Sequence, residues 1–489
     1  MNLGLKLFAA MALLSAISLA QSVAELEALR VPQSIALSSD GSRLWYKMGR
    51  HSWEIGTSPG ARPKRVDTYE TVTAQEPPQV LGTRRLSNPR RSPDGKKVAY
   101  LDAENPYSPL LLFCVWDNQQ QTTRPQPLSR VPVLAFEWAQ DSNSLWLIAV
   151  NGADEPIGRL DLNGRFEQLS HDPAMRRAGG LAAAADLVAW VQSDGSQHGA
   201  IWVRDRSGTV RLLVEPNPVI SRWKLGTQEV VRWKNSHGEG LQGILARPSG
   251  SAGLPLPLVV DPYSSWRNRF LHIPVLGNYL LVKSGFAVFF PDHRAPHTFP
   301  EMNFGEAYLG ASKDRDPVDT LTDDVMTGVN ELVRSGIADP SRLFLYSSSN
   351  GASAINQLLT QTHVFRAAVS HGGVANWLGY YQMRRLLGDE TIPAFLGGRK
   401  PVDSPELYRR ISPVFSVDRI STPLLLVIGE KDTRFEDTME FYRALRKAGS
   451  PVSLVKYPEE GHELSNAKLA EQHIRRALEF FRSAKPVTP

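Results

Sequence analysis

The chain contains 489 residues, of which 42% are hydrophobic and 21% are charged, and its formal net charge at pH 7 is +5. This length exceeds that of one ordinary domain, so we expect two. The mild positive charge, without a dense run of Lys and Arg, argues against nucleic-acid binding as the main function. The single cysteine excludes an internal disulfide.

Residues 1–20 have the pattern of a secretory signal peptide. Lys6 precedes an apolar stretch at residues 7–17, and the small residues Ser18 and Ala20 are spaced as in a cleavage site. The alternative is an uncleaved anchor, but the stretch is shorter than the ~20 apolar residues that a bilayer span requires. We therefore predict cleavage after Ala20 and export to a bacterial periplasm or the medium, with no membrane span left in the mature protein.

A faint repeat in residues 22–228 predicts several small β-sheets. A polar turn followed by a short apolar strand recurs roughly every 45–55 residues, the length of a propeller blade. The copies are at 36–46, 90–100 and 137–148, with a more degenerate one at 181–191. Because one such unit cannot bury its own faces, we predict an all-β propeller of four or five blades, with an irregular β-sandwich as the alternative.

From residue 229 to residue 485 the pattern changes to alternating strands and helices, opened by a predicted hairpin at 230–248. Apolar strands are predicted at 257–263, 286–292, 342–347, 367–373, 423–429 and 452–458, and helices at 319–336, 352–361, 438–449 and 467–484. This alternation predicts an α/β domain with a mostly parallel, doubly wound sheet. Ligands of such sheets bind beyond the carboxyl ends of the strands, so functional side chains are expected directly after strands.

Three consecutive serines lie between a predicted strand and a predicted helix. A strand, a sharp turn and a helix are the context of a nucleophile elbow, whose pattern is G-x-S-x-G. Only Ser349 has a glycine two positions later, Gly351, so Ser349 is the candidate nucleophile. Ser347 stands two positions earlier, where glycine is usual, and this departure adds strain to the turn. An unreactive Ser-rich loop is the alternative.

A serine nucleophile needs a base that accepts its proton and an acid that orients the base. Asp432 and His462 each follow a predicted strand. The order Ser349, Asp432, His462 is that of an α/β-hydrolase, and we predict that they form a catalytic triad. Glu430 is the rival acid. We prefer Asp432 because its position three residues after Gly429 leaves room to reach the histidine loop.

Two hydrogen-bond donors are expected for the oxyanion of the tetrahedral intermediate. One is the backbone N–H of Asn350, the residue after the nucleophile. The other should come from the loop after the strand at 257–263, where lipases carry a glycine-rich stretch and this chain carries Tyr263. A tyrosine hydroxyl can donate as an amide does, and an aromatic packed at a strand end is the alternative.

At these motifs the sequence resembles the prolyl oligopeptidase family of serine peptidases, in its dipeptidyl-peptidase and acylaminoacyl-peptidase branch. The resemblance covers residues 230–485 and is carried by the segments PLVVDPY, SGFAVFFPDHRA, DDVMTGVNELVRSGIADPSRLFLYSSSNGAS, STPLLLVIGEKD and YPEEGH. It implies an N-terminal β-propeller joined to a C-terminal α/β-hydrolase domain, and peptide hydrolysis through an acyl-enzyme.

The resemblance also implies an apolar pocket for the residue before the cleaved bond. The matching stretch, GGVANWLGYY, places Val374, Trp377 and Tyr380 at that pocket, and ordinary core packing is the alternative. The N-terminal region is shorter than is usual in the family. An acidic pair that could grip a free amino terminus, as in the dipeptidyl branch, is not evident, which puts dipeptidyl-peptidase activity in doubt.

The sequence therefore predicts an exported serine peptidase acting on short peptides. A carboxylic-ester hydrolase on the same triad is one alternative, and a non-catalytic propeller binding protein with a decayed hydrolase domain is another. No metal or organic cofactor is implied, because the HExxH, Walker and GxGxxG patterns are lacking. A peptide is the expected partner, nucleic acid is not, and a homo-oligomer is left open.

Overall fold

A computed structural model describes two compact units, one over residues 29–223 and the other beginning at residue 224. The sequence places this boundary at 228–229, and the predicted signal peptide lies outside the described residues. The structure describes residues 29–67, 80–81, 84–102, 111–115, 126–129, 133–149, 155–169, 177–193, 197–222, 226–251, 253, 255–263, 276–293, 316–387, 392, 396, 399–464 and 467–484.

Four antiparallel sheets make up the N-terminal unit within these ranges, and in each of them strands adjacent in sequence pair with one another. The first contains β1–β4 (Ser34–Leu37, Arg43–Met48, His51–Gly56, Lys64–Val66) and the second β5–β9 (Val80–Leu81, Arg84–Arg91, Lys97–Asp102, Leu111–Val115, Gln126–Pro127). The third contains β10–β13 (Val133–Trp138, Ser144–Ala149, Ile157–Asp161, Phe166–Gln168) and the fourth β14–β17 (Arg177–Ala184, Leu187–Ser193, Ala200–Arg204, Val210–Val214). A short 3-10 helix follows at Pro218–Arg222.

Each of the four sequence repeats coincides with a hairpin of one sheet. In the first repeat, Asp40 accepts hydrogen bonds from the Ser42 N–H at 3.0 Å and the Ser38 hydroxyl at 2.6 Å, while Gly41 takes a φ of 72°. An aspartate that caps its own turn and a glycine in the left-handed region make the tight strand connection. The repeated Asp-Gly and Asp-Ser pairs are therefore structural residues.

Neighbouring sheets of this unit pack through their apolar faces. The first strand of the first sheet lies against β14 of the fourth, β14 lies against β10 of the third, and β10 lies against β6 of the second. Separate apolar clusters fill the space between the first and fourth, the third and fourth, and the second and third sheets. The first sheet in the chain is thus a neighbour of the last.

The C-terminal unit contains one mixed sheet of eight strands, in the order β18-β19-β21-β20-β22-β23-β24-β25. Its strands are β18–β25 (Thr227–Lys234, Gly240–Arg247, Leu256–Val260, Ala287–Pro291, Ala338–Ser348, Ala367–His371, Leu424–Gly429, Val452–Tyr457). The pairs β18/β19 and β19/β21 are antiparallel, and the remaining neighbours are parallel. All six apolar strands predicted from the sequence lie in this sheet.

In the described part of this unit, helices α1–α7 are Leu276–Lys283, Pro317–Arg334, Ser349–Leu358, Trp377–Leu386, Pro405–Arg410, Phe435–Ala448 and Ala467–Ser483, and a 3-10 helix spans Pro413–Arg419. Alternate strand residues point to opposite faces. Leu343 and Leu345 join the core formed with α2, α3 and α6, whereas the ring of Phe344 lies 4.7 Å from that of Phe481 of α7. The sheet is therefore covered on both faces. Within the described residues, no helix combines the length and apolar character needed to cross a membrane.

Candidate active site

Ser349 lies where a strand passes directly into a helix. Strand β22 ends at Ser348 and helix α3 begins at Ser349, so no linker separates them. The φ of Ser349 is 55°, in the left-handed region that residues with a side chain seldom adopt. This is the backbone of a nucleophile elbow, and it holds the serine side chain half-exposed at the carboxyl edge of the sheet.

The elbow requires glycine on the helical side because the helix starts against the strand ends. A Cβ on Gly351 would overlap the Ser347 hydroxyl and lie 2.9 Å from the Cβ of Tyr263. A Cβ on Gly373, which follows β23, would lie 2.5 Å from the backbone carbon of Ala352. Both positions therefore exclude any side chain, and the close approach fixes where the first turn of α3 sits.

Three predicted residues from separate loops form one hydrogen-bonded row. The Oγ of Ser349 lies 2.9 Å from Nε2 of His462, and Nδ1 of His462 lies 2.7 Å from Oδ2 of Asp432. The carboxylate is 5% exposed, whereas the imidazole is half-exposed. An imidazole bonded in this way can take the serine proton at one nitrogen while the carboxylate holds the other.

The environment of Asp432 keeps its carboxylate ionised. Burial alone would raise the pKa of Asp432, but the hydrogen bonds from His462 and from the backbone N–H of Arg434, at 2.9 Å, outweigh it and hold the pKa below its usual value. Each carboxylate oxygen thus accepts one donor. A charged acid in this position favours the imidazolium that forms when the serine gives up its proton.

Backbone hydrogen bonds join the acid loop to the histidine loop. The Lys431 N–H donates to the carbonyl of Glu460 at 2.8 Å, next to Gly429, where a Cβ would collide with that same carbonyl. Glu430, the rival acid, is exposed and pairs with Lys456 at 2.9 Å. Asp432 and not Glu430 is therefore the carboxylate that lies against His462.

Gly372, directly after β23, lies close to both Asp432 and His462. Its φ is 62°, and a Cβ there would lie 3.2 Å from Oδ2 of Asp432 and 3.3 Å from Cε1 of His462. Its carbonyl accepts a hydrogen bond from Arg434 at 2.7 Å. Gly372 is a functional position that sequence reasoning missed, and a glycine directly after a strand at this edge was the available signal.

Arg434 is a second residue that sequence reasoning missed. The guanidinium is almost fully buried, and its Nη1 lies 3.1 Å from the Oγ of Ser349. Its Nη2 reaches the hydroxyl of Tyr380 at 3.3 Å, and its Cζ lies 5.2 Å from the centre of that ring. A cation beside the nucleophile favours a carbonyl or carboxylate oxygen of a ligand. The available signal was a basic residue two positions after the candidate acid.

The residues predicted as oxyanion donors both lie at the elbow. Asn350 is buried in the first turn of α3, where backbone N–H groups have no acceptor within the helix. The positive end of the helix dipole points in the same direction. Tyr263 follows β20 and packs against Gly351, which brings the tyrosine to the same strand-to-helix turn as Ser349.

The predicted pocket residues belong to one apolar cluster but differ in burial. Val374 and Trp377 are 0% and 4% exposed and belong to an apolar cluster with Val318, Ile392, Leu396, Tyr408 and Ile411. Tyr380 is half-buried and contacts Arg434, which in turn contacts Ser349. The rings of Trp377 and Tyr380 meet edge to face with centres 6.0 Å apart, so Tyr380 connects this cluster to Arg434 and Ser349.

A mixed sheet with a strained serine elbow, a histidine and a buried aspartate at its carboxyl edge defines an enzyme of the α/β-hydrolase class. Comparison with known proteins narrows the class. Residues 276–485 match the profile of the prolyl oligopeptidase family. The resemblance stated from the sequence motifs is thereby confirmed.

Several known proteins are similar to this chain at low sequence identity. An uncharacterized peptidase, YuxL, of Bacillus subtilis is 28% identical over 51% of this chain and 37% of its own length. The acylamino-acid-releasing enzyme of Homo sapiens is 26% identical over 60% of this chain and 40% of its own length. The chain thus spans less than half the length of these curated relatives. A puromycin-hydrolyzing peptidase of Mycobacterium tuberculosis shares the fold, with a TM-score of 0.60 at 18% identity over 94% of this chain and 81% of that one.

The contact of Gly372 with the acid and the imidazole gives a first prediction. Gly372→Ala should slow labelling of Ser349 by a fluorophosphonate about 100-fold, because the added methyl group displaces Asp432 and His462 from the serine. Gly336→Ala is the matched control, since Gly336 has a φ of 73° but no heavy atom within 4 Å of its added Cβ. Equal labelling rates for the two variants would contradict the prediction.

Proposed function

We propose that this chain is a serine peptidase that cleaves short peptides through an acyl-enzyme. The observation that carries the proposal is the hydrogen-bonded row of Ser349, His462 and Asp432 at the carboxyl edge of the sheet. The match of residues 276–485 to the prolyl oligopeptidase family supports a peptide as the substrate class.

The geometry leads to a two-step reaction. The Oγ of Ser349 attacks the peptide carbonyl while Nε2 of His462 takes its proton, and Asp432 stabilises the resulting imidazolium. The Asn350 N–H and the Tyr263 hydroxyl stabilise the oxyanion of the intermediate. The imidazolium then protonates the leaving amine, and the acyl group remains on Ser349. Water, deprotonated by His462, attacks this ester and regenerates the serine.

Arg434 is proposed to bind a substrate oxygen near the cleaved bond. Its guanidinium already touches the nucleophile hydroxyl and is held by the Gly372 carbonyl and by Tyr380. A fixed, planar donor of this kind suits a main-chain carbonyl of the peptide. Tyr380 lies against this arginine, and we assign it to the substrate site together with Val374 and Trp377, which would support the pocket wall from the core.

An ester hydrolase is the second candidate, because esters need less protonation of the leaving group and the row of three residues serves both reactions. The third candidate, a decayed hydrolase domain, rests on Ser347 at the elbow position where glycine is usual. The backbone of Ser349 and the distances to His462 argue against decay, since the serine side chain remains within hydrogen-bonding reach of its base.

The N-terminal unit is proposed to be a four-bladed propeller. Support comes from four sheets of similar size, each a meander, with apolar clusters between three neighbouring pairs. Contact between β1 of the first sheet and β14 of the fourth is what a closed ring requires. A sandwich would instead bury one face of each of two sheets against the other.

Catalysis by the row is tested by three substitutions. Ser349→Ala should abolish fluorophosphonate labelling and peptide hydrolysis. Asp432→Asn should lower kcat about 10⁴-fold, since the amide no longer fixes the imidazole tautomer or stabilises its cation. Glu430→Gln is the matched control and should retain wild-type kcat, because Glu430 pairs with Lys456 on the surface. A correctly folded Ser349→Ala variant with wild-type turnover would rule out this mechanism.

The substrate class is tested by comparing a proline or alanine anilide with a short acyl ester of the same acyl group. A peptidase should release the anilide with a kcat/KM within about 100-fold of that for the ester, since His462 must be placed to protonate the amine. Hydrolysis of the ester alone would favour the esterase. Lack of any labelling or hydrolysis by folded protein would favour the decayed domain. Mass spectrometry of a digested peptide library would then give the preferred cleavage site.

Export is proposed from the pattern of residues 1–20. Expression of the full chain in a bacterium and N-terminal sequencing of the protein recovered from the periplasm should give Gln21 as the first residue. Recovery of a chain that begins with Met1 in the cytosol or membrane fraction would contradict the proposal.

A further inference from the structure

Ser347, the residue that departs from the usual elbow pattern, has a buried partner from another strand. Its hydroxyl donates a hydrogen bond to Oδ1 of Asp261 at 2.5 Å. The two residues are 2% and 3% exposed, and they lie at the carboxyl ends of the neighbouring parallel strands β22 and β20. The hydroxyl at the elbow therefore adds a buried side-chain hydrogen bond between two strands that are paired through their backbones.

The same carboxylate oxygen also holds the backbone of Tyr263. Oδ1 of Asp261 accepts the Tyr263 N–H at 3.1 Å. Between these two residues, the carbonyl of Pro262 lies 2.9 Å from Nε2 of the fully buried His293. A carbonyl can only accept, so this nitrogen carries a proton and donates. The segment 261–263 is thus fixed by buried polar partners from β22 and from the end of β21.

Burying a carboxylate destabilises the folded state unless ion pairs or hydrogen bonds compensate for the lost hydration. Burial raises the pKa of Asp261 to about 7, although the hydrogen bonds from Ser347 and Tyr263 oppose the rise. An apolar residue at 261 with glycine at 347 would avoid this desolvation. Folding stability therefore does not account for the pair, whereas control of the position of Tyr263 does.

We infer that Ser347 and Asp261 are positioning residues that fix Tyr263 against the nucleophile elbow as an oxyanion donor. The inference rests on the proposed function, in which Tyr263 stabilises the intermediate. Ser347 is then a working replacement for the elbow glycine. Its hydroxyl takes the space that Gly351 leaves open and ties the loop after β20 to the strand that carries Ser349.

The first test compares neighbouring serines of the same strand. Ser347→Ala should lower kcat for peptide hydrolysis roughly 10- to 100-fold with KM unchanged, because an oxyanion donor acts in the transition state and not on the bound substrate. Ser348→Ala is the matched control, since Ser348 is exposed and makes no side-chain cap. Equal kcat values for the two variants, or a change confined to KM, would overturn the inference.

The second test separates hydrogen bonding from charge. Asp261→Asn keeps an oxygen that accepts from both Ser347 and Tyr263 and should retain most of the wild-type kcat. Asp261→Leu removes the acceptor and should lose as much as Ser347→Ala. If Asp261→Leu does not fold, the kcat of Asp261→Asn is compared with that of Ser347→Gly, which lacks the hydroxyl and should be the slower variant. An Asp261→Asn variant as slow as Ser347→Gly would overturn the inference.

A double-mutant cycle shows whether the pair acts through Tyr263. If it does, Ser347→Ala should lower kcat far less in a Tyr263→Phe background than in the wild type. Fully additive losses would overturn the inference. Wild-type protein that neither hydrolyses the anilide or ester nor labels at Ser349 would overturn the proposed function, and the inference with it. An active wild type with additive losses would overturn the inference alone.

Discussion

The strained backbone at Ser349 is the constraint on which the rest of the site depends. A left-handed residue with a side chain costs about 1–3 kcal/mol and persists only where its surroundings enforce it. Here the enforcement comes from the direct passage of β22 into α3 and from the absence of side chains at Gly351 and Gly373. The parallel sheet then brings the ends of the other strands to the same edge, so the loops of Asp432 and His462 need only short reaches to meet the serine.

Much of the hydrolase unit follows from local pattern. Buried parallel strands are continuous apolar runs, and the six predicted ones lie in the sheet. The ends of the elements are harder to predict. Strand β22 begins at Ala338 because Leu256 of the neighbouring strand pairs with it. Helix α3 begins at Ser349, three residues before the predicted start, because the elbow turns without a linker. Both shifts are set by tertiary packing, which overrides local preference.

The residues of the candidate site likewise include some that the sequence predicts and some that it does not. Ser349, Asp432 and His462 could be proposed because each follows a strand and their order is informative. Arg434 could not be proposed, because its role depends on the contact between its guanidinium and the hydroxyl of Ser349, which is 85 residues away in sequence. The hydrogen bond between Ser347 and Asp261 joins residues 86 positions apart and could not be predicted either. In the sequence, Ser347 is only a departure from the usual elbow glycine.

Two buried carboxylates at the carboxyl edge of the sheet have pKa values shifted in opposite directions. Asp432 is held ionised because His462 and a backbone N–H outweigh its burial, whereas the desolvation of Asp261 outweighs its two hydrogen bonds and raises its pKa to about 7. Two differences account for this. Asp261 is desolvated more completely, and its partners are a hydroxyl and an amide, whereas Asp432 lies beside His462 and Arg434, whose charges favour its ionised form. The ionised carboxylate is thus favoured beside His462 and disfavoured beside Tyr263.

The unequal exposure of the acid and the base has a kinetic consequence. Asp432 is sealed inside, yet the ring of His462 remains 39% accessible on its side chain. Solvent therefore reaches the imidazole without any local unfolding. A water molecule that hydrolyses an acyl group on Ser349 could approach His462 by ordinary diffusion, rather than through opening of the acid loop.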